Sequence, residues 1–248
     1  MNKPIIVQGA MKIELEYIKN ILTDIEEVNI DGYSFLKGKL NGYPVILSET
    51  QIGSINSTIS TLSGIKQFDP LCIINQGVAG GQTINVKKND LVIGSGCINT
   101  NSYETNKKRV GEGTNPLEWN IINFSSDDSK ENQTQILKSD MELLNLAKDI
   151  SEKYNYGKVH TGLLGSGDSW DKEADKIISL NKKTGIISAD MESIGTYTVA
   201  NKYKIPVIGI RTISDNAILN EDYERTVAHG AQEFVIKLID KIVENKEI

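Results

Sequence analysis

The sequence predicts an α/β fold around a mainly parallel sheet, and three observations carry that reading. Short apolar runs rich in Val and Ile recur along the chain, and helical periodicity fills the intervals between them. The one exception is a stretch near the start that reads as an antiparallel hairpin. Near-continuous apolar strands belong to a sheet covered on both faces.

Taken in order, residues 4–7 form the first buried run. Residues 14–22 follow as a helix with Leu15, Ile18, Ile21 and Leu22 on one stripe. Residues 31–48 read as the hairpin, turned at Asn41-Gly42, a pair suited to the positive φ of a two-residue turn. Its second arm is the apolar run 44–48. A helix over 54–67 precedes strands at 71–75 and 91–94. A third helix, 141–153, carries Leu143, Leu144, Ala147 and Ile150 on one face. The chain then alternates strand 185–188, helix 191–203, strand 206–210 and helix 226–244. Residues 99–135 are irregular, with the polar stretch SSDDSKENQ, and are too long for an ordinary connection. They read as a functional flap or a surface insertion.

With 248 residues, no repeat and no linker, the chain reads as one domain over residues 1–248. Its formal net charge is −6 and it has no basic tract, which disfavours nucleic acid as a partner. No apolar run reaches membrane-spanning length, so no membrane association is expected. The first residues, MNKPIIVQGAMKIE, lack the apolar region and cleavage site of a signal peptide. Cys72 and Cys97 sit in or beside apolar runs, as buried thiols of a reducing compartment do, and a cytoplasmic location is expected. Two cysteines and two histidines, far apart, make no metal site, and no cofactor is implied.

Ligands of open α/β sheets bind beyond the carboxyl ends of the strands, so the residues after each run are the candidates. Gly9 permits a sharp exit, and Glu14 falls in the next helix's first turn, either as a reactive carboxylate or as a helix-start acid. The cluster Gln76-Gly77-Val78-Ala79-Gly80-Gly81 lets a ligand approach the backbone, or simply makes a turn. In Gly165-Ser166-Gly167-Asp168-Ser169-Trp170 the indole suits stacking on a planar base. Equally, Asp168 could cap a helix near 172–180 and Trp170 could be core. Asp190 and Glu192 flank Met191, and alternate residues at a strand end face opposite ways, so the two acids need not act together. The last strand delivers Arg211, Ser214 and Asp215 to its carboxyl end, where a partly desolvated Asp suits proton donation, or merely stops the strand.

In combined order these segments, GAMKIE, TQIG, INQGVAGG, NDLVIGS, GSGDSW, SADMES and RTISDNA, resemble the nucleoside phosphorylase superfamily. They look most like the methylthioadenosine/S-adenosylhomocysteine nucleosidases. The resemblance implies a mixed, curved central sheet flanked by helices, usually in a homodimer. It implies a purine nucleoside as the small-molecule partner and water as the nucleophile. Asp215 would protonate N7 of the base and Glu14 would activate the water. Glu192 would hold the ribose hydroxyls and Met191 would pack beneath the sugar. Met11, Ile52, Gly80, Ser166, Gly167, Trp170, Ser214 and Tyr223 complete the implied substrate-binding set. A phosphorylase of this superfamily would be expected to carry arginine near Gly9, where this chain has Lys12 and Glu14.

The chain also departs from that pattern. Val78 stands where similar nucleosidases have a small hydroxyl residue, and Asn99-Thr100-Asn101 replaces an expected His-Asp pair. Lys107, Lys108 and Arg109 in the long segment could reach a 5′-phosphate or another polar substituent, or lie on a solvated insertion. The alternatives are therefore a phosphate-dependent phosphorylase, a nucleosidase acting on a 5′-phosphorylated nucleoside, and a non-catalytic nucleoside-binding domain.

Overall fold

The computed structural model describes residues 2–122 and 135–246. Twelve strands and six α-helices lie within them. The first half comprises β1 (Ile5–Gly9), α1 (Glu16–Ile21), β2 (Thr23–Ile30), β3 (Tyr33–Leu40), β4 (Tyr43–Glu49), α2 (Ser54–Phe68), β5 (Cys72–Gly81) and β6 (Leu91–Asn99). The short β7 (Tyr103–Glu104), β8 (Asn120–Ile121) and β9 (Ile136–Lys138) follow. The second half comprises α3 (Met141–Asp149), β10 (Val159–Ser166), α4 (Ala174–Thr184), β11 (Ile186–Asp190), α5 (Ser193–Tyr203), β12 (Val207–Asp215) and α6 (Ala228–Asn245).

Ten of the strands form one mixed sheet in the order β11-β10-β6-β12-β5-β1-β4-β3-β2, with β9 against β6. β4, β1, β5 and β12 run parallel as one group, and β6, β10 and β11 as another. The groups oppose each other where β12 meets β6. The sheet then curls until β11 also bonds β5, at Ser188–Gly81 and Ala189–Gly80, so five strands close into a ring. That closure brings the carboxyl ends of the two opposed groups to one place.

The buried runs expected from Val and Ile content are all strands. Three expectations need correction. The hairpin at residues 31–48 is the second half of a three-stranded meander. β2 precedes it, joined through Asp31-Gly32, whose φ values of 52° and 84° match those of Asn41-Gly42 at 49° and 84°. β2 gives no signal in the sequence because its edge position leaves nearly every residue exposed, so it has no apolar face to read. β10 is a further strand that the apolar runs do not mark, since its glycines and partial exposure break the pattern. The glycine cluster after residue 75 is no loop, because β5 continues through Gly81 and pairs with β12 up to Asp215–Gly80.

The main core lies between the sheet and α1, α3 and α6, where Ile18, Ala147, Phe234, Leu238 and Ile242 pack on Ile74, Ile93 and Ile210. Across the sheet, α5 buries Tyr197 and Ala200 against Ile73 and Val207. α2 is unusual, since its buried face is Ser57, Ser60, Thr61, Ser63, Gly64 and Ile65. Hydroxyls on that face are satisfied internally, by Ser48 to Ser60 at 2.8 Å and Gln8 to Thr61 at 2.9 Å. Cys72 and Cys97 are buried free thiols. Among the described residues no helix is long and apolar enough to cross a membrane, and none cluster as metal ligands.

Candidate active site

A cavity of about 180 Å³ opens where the strand ends converge. Strand β1 ends at Gly9, and one turn of tight helix, Lys12–Glu14, swings Glu14 back beneath it. Glu14 is only 3% exposed. Its Oε2 accepts the amides of Ala10 at 2.7 Å and Met11 at 3.0 Å, and Oε1 accepts that of Val78 at 2.9 Å. Gly77 makes room, since a Cβ there would lie 2.5 Å from Oε1. Burial pushes the Glu14 carboxyl above the usual range, and the three amides pull against that rise. The glycine-cluster backbone therefore binds this side chain instead of leaving the Val78 amide for a ligand.

Strand β11 ends at Asp190, whose carboxylate is fully engaged. It accepts Ser166 Oγ at 2.8 Å, Ser193 Oγ at 2.6 Å, two backbone amides and Arg211 Nε at 2.9 Å. Burial opposes its charge, but the Arg211 guanidinium and Ser193 outweigh burial and hold it below the ordinary carboxylate range. Glu192 also lines the cavity, and its Oε1 accepts the Gly53 amide at 2.9 Å. Burial first, then the neighbouring Asp190 carboxylate, pushes Glu192 up to about 8.

Strand β12 ends at Asp215, and Ser214 Oγ donates to its Oδ1 at 2.5 Å. The mouth is framed by Trp170 and Tyr223, set edge to face with centroids 5.1 Å apart. The ammonium of Lys172 lies 4.5 Å over the indole.

Ten of the twelve residues singled out from the sequence line this cavity. Glu14, Asp215 and Glu192 are its candidate reactive acids, and Gly80, Ser214 and Met191 line it between them. Met11, Ile52, Trp170 and Tyr223 form the remaining wall and rim. Ser166 and Gly167 do not line it. The Ser166 hydroxyl is wholly buried, donating to Asp190 and accepting the Ile194 amide at 3.0 Å. Gly167 packs against Thr100 and Asn101.

Sequence reasoning does not select Asp190, which lines the cavity although its carboxylate is engaged by Arg211, nor Ala10, Val78, Ala79, Ser169 and Ala189, small or apolar residues without chemical signal. It also misses Gly53, although that glycine stands in the segment TQIG beside Ile52. Asp168 does not cap a helix near 172–180. Its carboxylate bonds Ser54 at the start of α2, and α4 begins without a side-chain cap.

The described part of the long segment lies against α4 and lines no part of the cavity. Trp119 stacks on Tyr103 at 4.5 Å, and Lys183 Nζ donates to the carbonyls of Leu117 and Trp119. Lys107, Lys108 and Arg109 line no part of the cavity. SSDDSKENQ lies outside the described residues. His160 pairs with Asp90 and His229 with Glu233, and neither histidine lines the cavity.

The model of the phosphorylase superfamily matches residues 4–244. The chain belongs to this superfamily. The 5′-methylthioadenosine/S-adenosylhomocysteine nucleosidase of Haemophilus influenzae is 28% identical over 242 residues, covering 95% of this chain and 98% of the relative. Among solved structures, the Neisseria meningitidis nucleosidase of that name, in complex with methylthio-immucillin-A, is 23% identical with a TM-score of 0.76, covering 96% and 98% of the two chains. The futalosine hydrolase of Helicobacter pylori is 22% identical with a TM-score of 0.79, over the same shares. This superfamily member shares with those structures the α/β fold and its mixed central sheet.

Proposed function

We propose that this chain hydrolyses the N-glycosidic bond of a purine nucleoside of the methylthioadenosine/S-adenosylhomocysteine type. Water is the nucleophile, and the products are free base and a ribose derivative. One observation carries the choice of water: none of the sixteen cavity-lining residues is Lys, Arg or His, whereas four are carboxylic acids. A phosphate nucleophile would find no cation in that wall to hold it. Arg211, whose strand ends in the cavity, spends its donors on Asp190, Asn75, Ile210 and Ser193.

In this reading Asp215 donates a proton to N7 of the purine, and the base leaves as a neutral molecule. Positive charge develops on the ribose, and the ionised Glu192 beside it stabilises that charge while accepting the ribose hydroxyls. Glu14, held by three amides, takes the proton of the attacking water. Burial raises its basicity towards what proton abstraction near neutral pH needs. Trp170 stacks on the base, Met191 supports the sugar, and Met11, Ile52 and Tyr223 enclose the 5′-group. That end is apolar, which suits a thioether better than a phosphate.

The reading extends to a cytoplasmic homodimer acting as one domain over residues 1–248. Its support is the inverted polarity of α2, which buries hydroxyls and leaves Ile55 and Ile59 outward at 71% and 41% exposure. With Ile52 they make an apolar stripe running to the cavity edge, the kind of surface a partner covers. The two unpaired thiols suit a reducing compartment.

Base release from methylthioadenosine, S-adenosylhomocysteine, adenosine, inosine, futalosine and AMP, with and without phosphate, tests the proposal. Free base and free sugar at a rate indifferent to phosphate are expected, with the thioether nucleosides preferred. A sugar 1-phosphate formed only with phosphate would make the chain a phosphorylase and remove the role given to Glu14.

A further inference from the structure

We propose that Asp168 is a positioning residue that holds the Glu192 carboxylate against the ribose, acting through the first turn of α2. The inference rests on the nucleosidase reading above. Asp168 leaves the end of β10 and reaches across to α2, a helix whose own cap residue, Gly53, has no side chain to offer. Its Oδ1 accepts the Ser54 amide at 2.7 Å and its Oδ2 accepts the Ser54 hydroxyl at 2.6 Å. A carboxylate at that helix start satisfies a free amide and faces the positive end of the helix dipole.

Immediately before Ser54, the Gly53 amide donates to Glu192 Oε1 at 2.9 Å. Gly53 has a φ of 104°, a conformation glycine adopts without strain. Further along the same turn, Ser57 Oγ donates to the Glu192 carbonyl at 2.9 Å. The first turn of α2 thus grips residue 192 by side chain and backbone together. Asp168 is the tether that sets where that turn stands.

The next two residues after Asp168 are Ser169 and Trp170, both in the cavity wall. One carboxylate therefore ties the segment that contacts the base to the helix that aims the acid on the sugar. Movement of Trp170 on binding a base would be carried to Glu192 through Asp168, Ser54 and Gly53.

The test compares Asp168→Ala, Asp168→Asn and Ser54→Ala on a ribonucleoside substrate and on its 2′,3′-dideoxy counterpart, which offers Glu192 no hydroxyls. Loss of charge-assisted bonds predicts a fall in kcat/KM of about 10- to 100-fold for Asp168→Ala on the ribonucleoside. On the dideoxy substrate the loss should be clearly smaller, since only the hydroxyl contacts of Glu192 are missing there. Asp168→Asn and Ser54→Ala should fall between. Added to Glu192→Ala, which leaves no side chain to position, Asp168→Ala should cost nothing further. Equal losses on both substrates, or additive losses in the double variant, would reduce Asp168 to a general structural role.

A second measurement needs no turnover. In the wild-type protein the Gly53 amide resonance should follow the titration of Glu192, and in Asp168→Ala that response should vanish. If it persists unchanged, the tether is refuted. If no nucleoside is cleaved by any variant or by the wild type, the nucleosidase reading fails, and the amide titration still decides the role of Asp168.

Discussion

Arg211 and Asp190 meet through Nε and Oδ2 at 2.9 Å, with side chains only 2% and 1% exposed. The pair joins β12 to the end of β11 directly behind Glu192. Because it is buried and fully hydrogen-bonded, it fixes the back wall of the cavity. It also keeps a cation close to the site without presenting one to a ligand. Removing one partner leaves an uncompensated buried charge, which costs about 3–5 kcal/mol. Arg211→Met and Asp190→Ala should each lose stability on that scale in urea unfolding. Losses below about 1 kcal/mol would mean the pair is not closed in solution.

Glu14→Gln and Asp215→Asn should each reduce kcat about 10²–10⁴-fold, the usual weight of a positioned base or acid. Both proteins should remain folded by circular dichroism. In Glu14→Gln the carboxamide keeps one acceptor oxygen where the carboxylate has two. Either the Val78 amide or those of Ala10 and Met11 then face a donor in place of an acceptor. A modest drop in Tm is therefore expected for that variant. Rates near wild type in either variant would sink the mechanism.

The raised Glu192 carboxyl makes a pH prediction with a definite sign. In the empty enzyme it is protonated below about 8 and becomes the charged form that stabilises the transition state above it. The kcat/KM profile should therefore rise through that range, and Glu192→Gln should lose the rise along with most activity. Stability moves oppositely. The folded state holds this proton where the unfolded chain, with an ordinary carboxyl near about 4.3, has released it. Stability contributed by the neutral form should thus decline as pH climbs from that value towards 8, and the decline should be shallower in Glu192→Gln. Glu14, raised by burial, acts in the same sense.

Trp170 is 57% exposed, whereas the other tryptophan, Trp119, lies flat on Tyr103. Adenine binding should blue-shift and alter the fluorescence of Trp170. Trp170→Ala should abolish that change and raise KM about tenfold, consistent with about 1–3 kcal/mol for base stacking. A fluorescence response that survives the substitution would move the base elsewhere.

The apolar stripe on α2 makes the assembly testable. Ile55→Glu places a charge in the middle of it and should convert a dimer to monomers in sedimentation or mass measurements. A wild-type chain that sediments as a monomer at micromolar concentration would remove that part of the proposal.

Apolar runs mark six of the ten strands of the main sheet, because a sheet covered on both faces leaves few polar positions. The acids Glu14, Glu192 and Asp215 are legible because helix-start and strand-end positions put side chains at the rim of such a sheet. Ser166 enters the expected site through the family resemblance. Its hydroxyl instead faces inward, to Asp190. Edge strand β2 has no buried face to betray it.

Local periodicity and the chemistry of single residues are enough to settle the α/β class, the order of most elements and which acids stand at the strand ends. Packing alone returns β11 to pair with β5 and close the ring, bringing Glu192 and Asp215 into one cavity. Packing also separates Asp190, locked to Arg211, from Glu192, held by the Gly53 amide. It gives Asp168 to α2, 114 residues earlier in the chain, instead of to the helix that follows it. One cause underlies the two carboxylate assignments. A buried or helix-start carboxylate takes whichever donors the packed elements bring within hydrogen-bond reach, and those donors come from segments remote in sequence.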